Sequence, residues 1–169
     1  MKPIALAIVA LAFASIVNGE EVSVCDGVKF NLPAEFILVS KPNPPQSPQT
    51  SSKFIKKNEI RDVSIKFSVK PTSRKQNQLE EIKQSFTKAL PNMTPKAECE
   101  QNEIIKLNDR QWFYFEIISH AENRDIRNIM MTTVYDDQLI TFNFNCTEEQ
   151  FERHEAIFRA CIKSISIES

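Results

Sequence analysis

The sequence predicts an α+β fold: an antiparallel sheet (an N-terminal hairpin, a strand pair and a C-terminal four-strand meander) packed with two main helices. Three observations predict it. Apolar and polar residues alternate strictly over 62–70, the period of a strand with one wet face. Leu79, Ile82, Phe86 and Leu90, and later Phe151, Phe158, Ile162 and Ile165, recur at helical spacing. Between these two helical stretches lie four β-like segments, roughly 97–106, 111–119, 126–135 and 138–146.

The hairpin comes first. Asp26-Gly27 separates Val22-Ser23-Val24 from Lys29-Phe30-Asn31-Leu32, and a type I′ turn requires positive φ at both central positions. Pro33 closes the second strand. Residues 40–52 hold four prolines and no large apolar side chain, so they read as an exposed loop. In 62–70, Val63, Ile65, Phe67 and Val69 share one face, and Ser64, Lys66, Ser68 and Lys70 the other. Phe54 to Asn58 is the candidate hairpin partner. The first helix is expected to stop at Pro91. Asn108-Asp109 and Asp136-Asp137 punctuate the meander. Trp112 to Phe115 is apolar on both sides, which predicts a central strand covered on both faces. Thr147-Glu148-Glu149-Gln150 has the form of a capping box opening the last helix.

The first 19 residues read as a cleavable export signal. Lys2 is the only charge before Glu20, residues 4–17 are apolar apart from Ser15, and Val17-Asn18-Gly19 meets Glu20-Glu21. That run is shorter than the roughly 20 apolar residues a spanning helix needs. Residues 20–169 are then one secreted domain, extracellular or, in a bacterium, periplasmic. Four cysteines in an oxidising compartment suggest two bridges. Cys146 precedes the last helix and Cys161 lies about 20 Å along it, so that pair is excluded. Cys25–Cys161 with Cys99–Cys146 is favoured over Cys25–Cys146 with Cys99–Cys161, because Cys99 and Cys146 would lie at the same end of a meander.

Little points to catalysis. Beyond the signal only Gly27 remains, so glycine-rich phosphate loops and the G-x-S-x-G elbow are absent. Histidines number two, His120 and His154; a small hydrolase would have to use one of them with nearby carboxylates. His120-Ala121-Glu122 with Asp125 could form a loose metal cluster, but a solvated turn explains it better. No catalytic residue, metal or cofactor is assigned. The net charge of −1 argues against nucleic acid as a partner of the whole domain.

Charge is nevertheless uneven. Residues 20–95 hold 12 Lys/Arg against 8 Asp/Glu, and 96–169 hold 8 against 14. Lys56, Lys57, Arg61, Lys66 and Lys70 form the candidate anionic-ligand face, with Lys56 joining Lys66 and Lys70 if its strand pairs with theirs. Asn92 and Asn145 head N-glycosylation sequons.

The order of elements resembles the PsbP/Mog-type α+β fold and the DcrB-like domains. The likeness is carried by Val28-Lys29-Phe30-Asn31-Leu32-Pro33 with Phe36 after it, by Tyr135-Asp136-Asp137-Gln138-Leu139-Ile140, and by the helix from Phe151 to Ile165. It implies a non-catalytic accessory or binding module with no shared active site. The expected function is therefore a secreted binding module recognising a protein or an anionic glycan or lipid surface. A secreted inhibitor or effector is the neighbouring reading, and the small hydrolase the alternative of another class.

Overall fold

The computed structural model describes residues 19–25, 27–40, 50–56, 63–94, 96–121 and 123–168. Its strands are β1 (Gly19–Cys25), β2 (Val28–Pro33), β3 (Phe36–Ser40), β4 (Thr50–Lys56), β5 (Val63–Pro71), β6 (Glu98–Leu107), β7 (Arg110–Ala121), β8 (Arg124–Tyr135), β9 (Gln138–Thr147) and β10 (Ser166–Ile167). The helices are α1 (Leu79–Met93) and α2 (Glu148–Ser164).

The expected hairpin forms, but it does not join the main sheet. β1, β2 and β10 make a separate three-stranded sheet, and the other seven strands are ordered β3-β4-β5-β9-β8-β7-β6. Gly27 has φ +74°, and a Cβ there would sit 2.8 Å from the Glu168 carbonyl oxygen. Glu168 N–H donates to the Gly27 carbonyl at 2.7 Å, so the turn needs glycine for conformation and for space. Asp26, the other turn residue, lies outside the described residues, as do the signal segment 1–18 and the loop residues 41–49.

The meander matches its expected bounds to within about two residues. Asn108, Asp109, Asp136 and Asp137 all have positive φ (46–62°), the type I′ conformation that short polar side chains tolerate. β7 is covered on both faces but is next to the edge strand β6, not central. Two further differences stand out. Strand β3 has no counterpart among the expected elements. Its Phe36 is buried in the core, whereas Ile37, Leu38 and Val39 are half exposed, so no clean alternation marks it. Pro91 does not stop α1: the helix runs on to Met93, closed by Thr94 N–H on the Leu90 carbonyl. In the last turn Pro91 lacks one N–H, and the carbonyl it would have met lies on an exposed stretch.

Packing follows from the alternation. One face of the seven-stranded sheet (Ile65, Phe67, Trp112, Tyr114, Phe142, Phe144) is buried against Phe30 of β2 and Phe158 of α2 in one core. The opposite face packs Phe113, Phe115 and Ile117 of β7 under Leu79 and Leu90 of α1 in a second core. Thr147 is the N-cap residue of α2, but its hydroxyl donates to Gln150 Oε1 at 3.1 Å instead of accepting a backbone N–H. The expected capping box is therefore not formed: Thr147 makes no side-chain bond to the backbone of the first turn.

Candidate functional site

The first face is closed by α2 and the small sheet; the second is only partly roofed. α1 sits over β6 and β7, with its flank reaching Met130 of β8 and Leu139 of β9. Among the described residues Lys66 and Lys70 of β5 are exposed and Lys53, Thr141 and Asn143 beside them are half-buried, so this part of the face is a half-open floor; Ile55 and Ser64, further along the same face, are buried.

Register fixes what lies on that floor. Cross-strand partners share a face. Lys53 is opposite Lys66, and Lys66 opposite Asn143. Ser51, Ser68, Thr141 and Thr132 form the next row across β4, β5, β9 and β8, with Thr132 and Thr141 hydroxyls 3.0 Å apart. Lys70 stands four residues beyond Lys66 on β5. A row of amides, Asn145 and Asn128, lies on the other side, the Asn145 Nδ2 donating to Asn128 Oδ1 and the Asn128 Nδ2 donating to Ser119 Oγ at 3.1 Å. One concavity is lined by Ser51, Lys53, Lys66, Ser68, Thr141 and Asn143. A second, lined by Lys70, Ile82, Phe86, Thr141 and others, adjoins it along the flank of α1. Neither has an acidic lining residue.

Lys66 and Lys70 are where the alternation put them, exposed on the wet face. Lys56 is not. Phe54 pairs with Ile65 and is buried, so Lys56, two residues on, belongs to the core-facing side of β4. The residue that completes the patch is Lys53. The same period of two, counted from Phe54, would have identified it. Lys57 and Arg61 lie outside the described residues. Lys53, Lys66 and Lys70 form no ion pair among the described residues, although two of them are directly opposed like charges, an arrangement that opposes pairing of the strands.

His120 is held between two carboxylates. Asp125 lies 2.8 Å from Nδ1 and Glu98 3.3 Å from Nε2. The hydrogen bond to Asp125 raises its pKa above the usual value, with Glu98 adding to the effect. Both ring nitrogens are thus taken up by acids. Glu122 lies outside the described residues. Among the described residues no group of three or more His, Cys, Asp and Glu is placed to hold a metal ion. His154 is buried in α2 beside Phe158.

The two-bridge expectation is not met: none of the four cysteines is joined in a disulfide. Cys99 and Cys146 are separated by β7 and β8, three strand spacings or about 14 Å, twice the reach of a disulfide. They also point to opposite faces, Cys99 sharing the face of Ile117 and Cys146 that of the main core. Cys25 pairs with Val28. The Cys161 carbonyl accepts the Ser164 hydroxyl, and Ser164 Oγ accepts from Asn31 N–H. Burial pushes the Cys161 thiol up to about 12. Alkylation of the native protein at pH 8 is expected to modify exposed Cys99 and leave Cys161 unmodified until denaturant is added; peptide mapping reads the order. Of the sequon asparagines, Asn92 is exposed on α1, whereas the Asn145 amide is engaged with Asn128 in the sheet.

On the closed face the structure shows a cluster that the sequence reading did not single out. Glu116, 2% exposed, accepts from Tyr114 Oη at 2.5 Å, Arg127 Nη1 at 2.6 Å and Arg159 Nη2 at 2.9 Å. Arg127 also grips Glu148 with two bonds of 2.7 Å and lies over the Phe151 ring at 4.3 Å. Burial alone would raise the Glu116 pKa, but Tyr114 and the two arginines outweigh it and hold the carboxyl below the usual range. The cluster pins α2 to β7 and β8.

A two-helix antiparallel α+β domain of this layout defines a PsbP-like fold. The solution structure of cyanobacterial PsbP (CyanoP) from Synechocystis sp. PCC 6803 superposes with a TM-score of 0.68 at 18% identity, covering 95% of this chain and 99% of that one. LpqN, involved in cell envelope biogenesis of Mycobacterium tuberculosis, superposes at 0.54 with 8% identity over 90% of this chain and 86% of its own. TplEi, an immunity protein from Pseudomonas aeruginosa solved with a peptide, superposes at 0.52 with 9% identity over 70% of this chain and 47% of its own. At these identities the likeness is one of fold. No protein-family model and no curated protein matches the chain by sequence. Among the described residues no helix is long and apolar enough to cross a membrane.

Proposed function

We propose that this chain is an exported, non-catalytic binding module whose half-roofed sheet face takes an anionic partner. The observation that carries the reading is the opposed Lys53–Lys66 pair, with Lys70 on the same strand and no counter-charge among the described residues. Two ammonium groups set side by side without an acid raise the local positive potential, and an arriving anion relieves their repulsion. Accessory and binding roles are also what the neighbours' descriptions convey, LpqN in envelope biogenesis and the immunity protein in a peptide complex.

The test is charge reversal. Lys53, Lys66 and Lys70 together changed to Glu should abolish retention on a heparin-type resin at physiological ionic strength and leave the melting temperature within a few degrees of wild type. Lys56→Glu, on the other face of β4, should leave retention nearly unchanged. Wild-type retention should fall as salt rises, because exposed charges are screened beyond about 8 Å at physiological ionic strength. Equal retention of wild type and the triple variant defeats the reading.

Export rests on the sequence of residues 1–19. Cleavage after Gly19 leaves Glu20 in register opposite Leu32, so β1 loses only its first residue. Edman sequencing of the native protein is expected to begin at or near Glu20; an intact Met1 on the native protein would show that the segment is retained.

A further inference from the structure

We infer that the occupant of this groove is a single sulfated sugar chain lying along β5; the inference rests on the basic-face reading above and specifies its ligand. Three features of the floor select this chemistry.

The first is that the floor offers side chains only. β5 lies between β4 and β9, and β9 between β5 and β8, so their backbone N–H and C=O groups are committed to ladders. An extended peptide laid here could not add a strand, and its own amides would be covered without partners. A sugar chain brings hydroxyls and acidic groups instead, all of which side chains can satisfy.

The second is the composition of the rows. Lys53, Lys66 and Asn143 form one row and Ser51, Ser68, Thr141 and Thr132 the next, at about 4.8 Å from strand to strand. Ammonium groups match sulfates, and hydroxyls and amides match sugar hydroxyls, without an acidic residue in the lining to repel them. The cationic positions are also spaced along a line. Lys53 and Lys66 form a pair that can share one sulfate. Lys70 lies about 13 Å further along β5, with the serine and threonine row between.

The third is relief. α1 packs on β6 and β7 and stands about 10 Å above the sheet beside this floor. A flexible chain can run along the foot of that step. A planar bilayer meets the top of the helix first, which disfavours an anionic membrane as the occupant.

The experiment is titration calorimetry of the mature protein at physiological ionic strength with four probes. These are a heparin-derived octasaccharide, the same octasaccharide chemically desulfated, a short poly-glutamate peptide, and phosphatidylserine-containing vesicles. The octasaccharide should bind one to one, and the desulfated form about tenfold or more weaker, as loss of charge-assisted bonds implies. Ser51→Ala with Ser68→Ala should weaken the octasaccharide several-fold yet leave retention on a plain cation exchanger unchanged, because the positive charge is intact. Lys66→Gln, a neutral side chain at an exposed position, supplies a variant whose folding is not in question, and it too should weaken the octasaccharide. Tighter binding of poly-glutamate or vesicles, or equal binding of the desulfated chain, overturns the sugar assignment. If charge reversal of the three lysines still lowers resin retention, the basic face itself survives that result. If reversal has no effect, both readings fall together.

Discussion

Replacing Glu116 by Ala should destabilise the domain by about 3 kcal/mol, the cost of taking one partner from buried, charged hydrogen-bonding groups. The glutamate is almost fully enclosed and receives Tyr114, Arg127 and Arg159. Without it Arg127 keeps Glu148 and Arg159 keeps Glu155, but the two guanidiniums lose the acid they share and Tyr114 loses its acceptor. Urea denaturation of wild type and variant reads the difference. Glu116→Gln separates charge from shape. The folded carboxyl titrates below its ordinary value of 4.5. Its ionised form therefore contributes stability that is complete above about that pH and is lost as pH falls through the lower folded value. The gap between wild type and Glu116→Gln should narrow on acidification through that window. A constant gap from neutral pH downward would show that Glu116 does not carry the charge coupling.

Phe142→Ala should cost a comparable ~3–5 kcal/mol. Phe142 is fully buried on β9, with ring centroids 4.9 Å from Phe67, 5.5 Å from Phe30 and 6.3 Å from Trp112. It joins two sheets: Phe67 and Trp112 belong to the seven-stranded one and Phe30 to the three-stranded one. The cavity would therefore open where the hairpin docks. At roughly 2–4 °C per kcal/mol for a domain of this size, the melting temperature should drop by about 10 °C. Hydrogen exchange should rise first in β2. Phe142→Leu, which keeps most of the volume, should cost far less. A small effect from the alanine variant would mean that Phe30 and Trp112 close the gap without it.

The meander was legible because each of its turns announces itself. Asn108-Asp109 and Asp136-Asp137 are short polar pairs that accept positive φ, and the strands between them alternate cleanly. Both helices were legible from their apolar stripes. Strand β3 was not, since three of its five residues are half-exposed apolar side chains without alternation. The Glu116 cluster was also illegible. Its acid and its two arginines come from β7, β8 and α2, and no sequence spacing relates them.

What the sequence by itself determined is local: which segments are strands or helices, which residues of each share a face, and that Lys66 and Lys70 face water. Periodicity and turn chemistry act between neighbours in the chain, so one chain suffices to read them. What only the tertiary structure decided is partnership. Sheet order placed β7 and β8 between Cys99 and Cys146, too far for a bond. Register brought Lys53, not Lys56, beside Lys66. The position of α1 over β6 and β7 left Lys66 and Lys70 of β5 exposed among the described residues. Each is set by which elements bury their apolar faces against one another, a choice made by the whole core at once.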